Sequence, residues 1–212
     1  MIGFCISYLY VFLLLVIGTR FERYSKEVSR KFVHIMTANW WFIVMVCFKE
    51  PFWAIIVALS FILVNLITYK YSFFTCIERE DRKKDKGTIY YAITLLVLVI
   101  LSFHYEDMLI GLIGSMVMGY ADGLAALCGK WLNWIPYSIR GNKKSLSGSL
   151  TMFVVTSIIV WGVLECRGYN HKIGLALIMG IIGAGLEAIS VKGRDNLTVP
   201  LGIVGVYILC VK

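Results

Sequence analysis

Charged side chains are scarce in this chain, 16% Asp, Glu, Lys and Arg against about 25% in soluble domains. With 59% apolar residues, too little polar surface is left to cover a water-soluble globule. The six cysteines, Cys5, Cys47, Cys76, Cys128, Cys166 and Cys210, stand singly with no C-x-x-C pair. That argues against a zinc site or a disulfide framework and leaves them as small apolar fillers. The first apolar stretch has neither a basic n-region nor a small-residue cleavage site, so it reads as a retained helix and not a signal peptide.

What fills the 212 residues instead is long apolar runs, with a mean hydropathy of +0.78. They are Ile2–Gly18, Phe32–Phe48, Phe52–Tyr69, Thr88–Phe103, Met108–Cys128, Ser149–Leu164, Ile173–Val191 and Leu197–Val211, and most reach the roughly 17–25 residues of a spanning helix. The expected fold is an all-α integral membrane protein of about eight transmembrane helices (seven to eight), forming one polytopic domain over residues 1–212. The eighth run is the weakest because Pro200 lies near its start.

Of the 21 Lys and Arg, 17 fall in four alternate loops: Arg20–Lys31, Lys70–Lys86, Lys130–Lys144 and Lys192–Arg194. The other side keeps Lys49, Arg167, Lys172 and Lys212. This bias predicts that the four basic loops face the cytoplasm and both termini face away from it. The net charge of +8 is therefore a topological signal with no nucleic-acid implication.

The chemistry gathers on the basic side. Asp122 interrupts an apolar run, which costs a few kcal/mol unless a partner, water or ion compensates it; Glu187 does the same in the seventh run. Counting about 1.5 Å per residue, Asp122 lies roughly 12 Å below Lys130 and Glu187 roughly 7 Å below Lys192, so both sit in the cytoplasmic half. The loop Gly141–Ser149 leads into an apolar helix and offers Lys143, Lys144, Ser145 and the free N–H groups around Gly148 and Ser149, a suitable seat for phosphate. Arg30, Lys31 and His34 share about one helical turn at the mouth of span two. Arg30 and Lys31 alone read as snorkelling anchors, whereas the imidazole calls for phosphate, a proton or a neighbouring helix. Asp195 and Asn196 lie at the same face, where an Asx cap and a Pro-initiated helix would also account for them.

Small residues at Gly111, Ser115, Gly119 and Gly123 repeat every four positions in span five, and Gly174, Gly180, Gly183, Ala184 and Gly185 enrich span seven. Packing these two faces together brings Asp122 and Glu187 to one polar cavity. A buried pair with Lys or Arg is the other account of these acids, and the adjacent phosphate-type loop weighs against it. Cys76–Gly87 reads as a solvated connector, Thr88 as the N-cap of span four, Tyr90 and Tyr91 as interfacial aromatics, and the short outer loops as featureless.

RKFVH at 30–34, GTIYY at 87–91, ADGLAALCGK at 121–130, KKSLSGSLTMF at 143–153, Glu187 and DNLTVPL at 195–201 together resemble the dolichol kinase and phytol kinase (polyprenol kinase) family of CTP-dependent lipid kinases. That family is related to the phosphatidate cytidylyltransferases, and the resemblance covers nearly the whole chain. It implies CTP as co-substrate, a divalent metal such as Mg²⁺ and a membrane-resident alcohol of prenol, phytol, dolichol or diacylglycerol type. On this resemblance the active site is built from loops 19–31, 129–148 and 192–196 with spans five and seven. Lys143, Lys144, Ser145, Gly148 and Ser149, with Arg30, Lys31, Asp195 and Asn196, surround the nucleotide. Asp122, Glu187 and Asp195 hold the metal, and a carboxylate or His34 takes the alcohol's proton. Two departures stand out: Ala121 precedes Asp122 where the family usually has Gly, and no clear second glycine follows Lys130. Two alternatives remain: CMP transfer to a lipid phosphate, disfavoured because the C-terminal cytidylyltransferase signature is missing, and an ion-coupled transporter, disfavoured because the polar groups cluster at one face with no inverted repeat.

Overall fold

The computed structural model describes residues 2–71, 86–139, 141–191 and 193–212. Most of the Cys76–Gly87 connector, together with Arg140 and Lys192, lies outside them. Ten α-helices are present among the described residues: α1 (Ile2–Glu22), α2 (Lys26–Thr37), α3 (Trp40–Cys47), α4 (Pro51–Tyr71), α5 (Gly87–His104), α6 (Met108–Met116), α7 (Asp122–Leu132), α8 (Leu146–Cys166), α9 (Lys172–Ile189) and α10 (Asp195–Val211). Among the described residues six helical stretches are long and apolar enough to cross a membrane, with Met108–Leu132 counted as one. Apart from one short hairpin, the described residues are those of an all-α membrane protein.

Two apolar runs are not simple helices. Between α2 and α3 the turn at Ala38 and Asn39 interrupts the regular helix, and tyrosines bond carbonyls beside it: Tyr10 Oη donates to Met36 O at 2.6 Å and Tyr91 Oη to His34 O at 3.0 Å. Tyr120 Oη donates to Asn39 Oδ1 at 3.0 Å. Between α6 and α7 a π-helical turn, Val117–Ala121, adds an extra residue to the coil immediately before Asp122, a device often found beside functional groups.

Pro200 does not start α10 but sits inside it. Its ring leaves the carbonyl of Asn196, four residues back, without the usual N–H, and Thr94 Oγ1 of α5 donates to that carbonyl at 2.7 Å. A helix expected to be insecure is thus tied to its neighbour. Thr88 likewise lies within the first turn of α5, with Lys86 in the cap position.

The small face of span five packs against span two, not span seven. A Cβ at Gly111 would lie 1.8 Å from the Trp41 ring, one at Gly119 2.4 Å from Ala38 Cβ, and one at Gly123 2.3 Å from Ile35 Cγ1. The glycine face of α9 meets α8 instead, where a Cβ at Gly180 would lie 2.1 Å from Ser157 Oγ. Trp40 and Trp41 fill the core at full burial.

The outer loops are not featureless either. Asp107 is buried, its Oδ1 caps Leu109 N at 3.1 Å, and its Oδ2 is bonded by Arg167 and by Tyr207 Oη. Arg167 Nε also donates to Tyr207 Oη at 2.6 Å, so one carboxylate fastens the start of α6 and the end of α8 to the last turns of α10.

Candidate active site

At the basic-loop end, α1, α2, α4, α5, α7, the hairpin and the ends of α9 and α10 surround one cavity of about 1440 Å³. Arg30, Lys31, His34, Asp122, Lys143, Lys144, Ser145, Gly148, Glu187, Asp195 and Asn196 all line it.

The polar loop of the sequence is a β-hairpin, β1 (Pro136–Ile139) and β2 (Asn142–Ser145), with Tyr137 opposite Lys144 and Ser138 opposite Lys143. Gly141, at φ 79°, supplies the left-handed residue that such a tight turn demands. Strand alternation then separates the two lysines: Lys143 is exposed at the mouth, while Lys144 turns inward to pair with Glu187 and lies 4.0 Å from Asp195. Burial works to lower the Lys144 pKa, but Glu187, then Asp195 and Asp122, outweigh it and hold the ammonium above its ordinary range.

The helix after the hairpin begins at Leu146, three residues earlier than the apolar pattern suggests, because Ser145 caps it and its Oγ accepts from Gly148 N at 3.3 Å. Ser145 Oγ also donates to Gly129 O at 3.2 Å. Gly129 permits that approach, since a Cβ there would lie 2.9 Å from the hydroxyl. Two expectations are corrected by this. The Gly148 N–H already has a protein acceptor, and Ser149 lies within the helical ladder, its hydroxyl 2.6 Å from Tyr137 Oη, so it does not line the cavity.

On the facing wall, Asp122 Oδ2 lies 3.4 Å from Lys31 Nζ and 3.3 Å from His34 Nε2. The pairing of Asp122 and Glu187 with bases, which the sequence weighed as the lesser option, is what the structure contains. For Asp122 the cause is the packing of span five on span two, which carries Lys31 and His34 to the start of α7, and for Glu187 it is the strand alternation that turns Lys144 inward. His34 Nε2 is also 3.0 Å from Met118 O. Both neighbours of Nε2 are acceptors, so the hydrogen is assigned to Nε2, and in the neutral ring Nδ1 is the free base. Tyr91 is no surface aromatic: it is buried, its ring packs edge-on with His34 at 4.8 Å between centroids, and its hydroxyl holds the His34 carbonyl. The available signal was its spacing from Leu95 and Leu98, which puts all three on one helical face. Arg30 pairs with Glu27 at 2.6 Å. Burial tends to raise the Glu27 pKa, yet Arg30, with Lys31 and Lys130, brings the carboxyl below its ordinary range.

Among the described residues, three polar atoms on the cavity wall, Arg30 Nε, Glu187 Oε2 and Asn196 Oδ1, are buried with no hydrogen-bond partner. Such atoms call for a water, an ion or a ligand group, or mark local strain. Among the described residues no three carboxylate, imidazole or thiol groups converge into a self-sufficient metal site.

No family model and no solved structure matches the chain. It is 34% identical over 185 residues to the phytol kinase of Synechocystis sp., an alignment spanning 83% of this chain and 76% of the relative. It is 26% identical over 200 residues to a probable chloroplastic phytol kinase of Triticum aestivum, spanning 84% of this chain and 65% of that protein. At that identity and coverage, the chain belongs to the phytol kinase (polyprenol kinase) family.

Proposed function

We propose that the protein transfers the γ-phosphoryl group of CTP to the hydroxyl of a membrane lipid alcohol, at a site open to the cytoplasm, with phytol, named for both relatives, as the first acceptor to test. The observation that carries this reading is a single cavity in which cations and carboxylates face apolar helix walls. A charged donor and a hydrophobic acceptor can meet there.

Lys144, Lys143, Lys31 and Arg30 supply positive charge for a triphosphate, and Arg30 Nε has an unused N–H for it. In exchange for phosphate, Lys144 and Lys31 give up part of their hold on Glu187 and Asp122. Phosphoryl transfer needs positioning and charge neutralisation above all. His34 accepts the alcohol's proton at Nδ1 while Asp122, against Nε2, stabilises the imidazolium that results. Tyr91 holds this histidine in place.

A magnesium ion fits the donor set. Mg²⁺ takes one or two carboxylates plus substrate phosphates, and the Glu187 Oε2 without a partner, with Asp195 across Lys144, provides them. When bound, it would neutralise charge on the transferring group. Asp122, which the sequence reading also made a ligand of the metal, is assigned here first to His34 because its Oδ2 is held by Lys31 and His34.

The test is a product assay with purified protein, Mg²⁺, phytol and CTP labelled at the γ or the α phosphorus. Label reaching lipid from the γ position, with CDP released, supports the kinase. Label from the α position with released pyrophosphate would replace it by CMP transfer, and the same assay with ATP and GTP decides the donor.

A further inference from the structure

The cavity does not end at its polar groups. It continues between α1 and α4, which meet farther along: Tyr8 Oη donates to Ser60 Oγ at 2.7 Å, Tyr8 and Phe61 rings lie 6.5 Å apart, and Phe4 and Trp53 6.3 Å. Short of that closure, Val11, Phe12 and Leu15 on α1 and Val64 and Asn65 on α4 line the cavity. Phe12 is 63% exposed and Val64 40%, though both are cavity-lining. The crevice is therefore open sideways, between two helices whose outer faces are apolar enough for lipid.

We propose that this crevice binds the hydroxyl-proximal part of the acceptor's hydrocarbon chain, with the hydroxyl at His34 and the tail leaving into the bilayer between Phe12 and Val64. The identity of the occupant rests on the lipid-kinase reading. Three observations support its place. The crevice and the polar site are one cavity, so a chain lying here delivers its head to Asp122 and His34 without crossing protein. A volume of about 1440 Å³ exceeds the roughly 300–1,000 Å³ of a single-ligand pocket, as two substrates require. Of the residues of α1 and α4 that line the cavity, Val11, Phe12, Leu15, Phe61 and Val64 are apolar, while Tyr8, Asn65, Thr68 and Tyr69 all have partners, Tyr8 donating to Ser60 and the Asn65 amide to Phe61 O at 2.8 Å, so the walls suit a hydrocarbon and not a nucleotide base.

The geometry also limits what is recognised. From Leu15 to the Tyr8 closure the helix rises about 10 Å, less than the roughly 15 Å half-thickness of a bilayer core. A long chain cannot be enclosed whole. Selectivity accordingly lies in branching and unsaturation near the hydroxyl, and lengthening the tail beyond the crevice leaves KM unchanged.

Two measurements on the full chain in nanodiscs test this. The first is photolabelling with phytol analogues carrying a diazirine near the hydroxyl or at the tail end. The near-hydroxyl probe should mark residues 11–15 or 64–65, and the tail probe mainly lipid. The second is kinetic: Val64→Trp, placed at the half-exposed rim, should raise KM for phytol about tenfold, the equivalent of about two methylenes leaving the crevice. KM for the nucleotide should hold. Leu63→Trp, on the outward face next to it, is the control and should change neither. Near-hydroxyl labelling confined to the outer faces of α8, α9 or α10, or equal effects of the two tryptophans, overturns the proposal. Labelling needs no phosphoryl transfer, so a protein that labels in the crevice yet phosphorylates no alcohol refutes the kinase reading alone. One that phosphorylates phytol without labelling there refutes the crevice alone.

Discussion

Replacing Asp122 by Asn removes a charge, keeps the side chain's size and leaves the glycine face of span five intact, so it separates chemistry from packing. The Lys31 side chain is only 4% exposed and that of Asp122 11%. Breaking a pair so buried costs about 3–5 kcal/mol, because the surviving charge has no partner. Bordering a cavity places this pair near the low end, about 3 kcal/mol. Adding Lys31→Met should restore most of that stability, since removing both charges from such a pair is close to neutral. Turnover should behave differently. The carboxylate that stabilises the His34 imidazolium is gone in both variants, and losing the carboxylate behind a histidine base costs up to about 10⁴-fold, so turnover at saturating nucleotide, which offsets the loss of Lys31 from the donor site, stays low after stability returns. The Mg²⁺ concentration needed for half-maximal rate should stay near wild type in Asp122→Asn and rise in Glu187→Gln. Thermal unfolding in detergent, alongside label transfer from CTP, reads all of these. An Asp122→Asn protein that is unstable but keeps most of its activity per folded molecule refutes a chemical role, and one whose Mg²⁺ requirement rises moves Asp122 from the acceptor side to the metal.

Lys144→Ala should raise KM for the nucleotide by about tenfold or more, the scale of one charge-assisted contact, and unchanged nucleotide kinetics would remove Lys144 from the donor site. The Lys144 pKa is raised in the folded state, so its stabilising contribution is complete below the unfolded value of about 10.4 and is lost only as pH rises through the higher folded value. Wild type should therefore show no Lys144-dependent loss of stability from neutral to mildly alkaline pH, by thermal unfolding. Single cysteines in a cysteine-free background should label from the cytoplasmic side at position 142 and from the opposite side at position 170, and the reverse pattern would invert the topology. Arg167→Met leaves the buried Asp107 carboxylate short of its cation and should lower stability by about 3 kcal/mol with turnover per folded molecule retained, because this network lies at the end opposite the cavity.

The apolar runs were legible in the sequence because a lipid solvent demands continuous apolar helices, and the basic loops because charge remains at the interface. Asp122 and Glu187 were legible because a charge inside an apolar run is visible without knowing its neighbours, and Lys144 because it lies in a polar loop that leads into an apolar helix. Which charge meets which was decided only by tertiary packing. The period of span five shows that Gly111, Gly119 and Gly123 share a face, but not which helix presses on it. Because Trp41, Ala38 and Ile35 fill that face, Lys31 and His34 reach Asp122. Similarly, the run of two lysines reads as one cationic loop until strand pairing turns Lys144 inward and Lys143 out. The π-helical turn before Asp122, the grip of Tyr91 on His34 and the Asp107–Arg167–Tyr207 knot bring together groups distant in the chain. Local periodicity carries no record of such encounters, which depend on how the helices fit side by side.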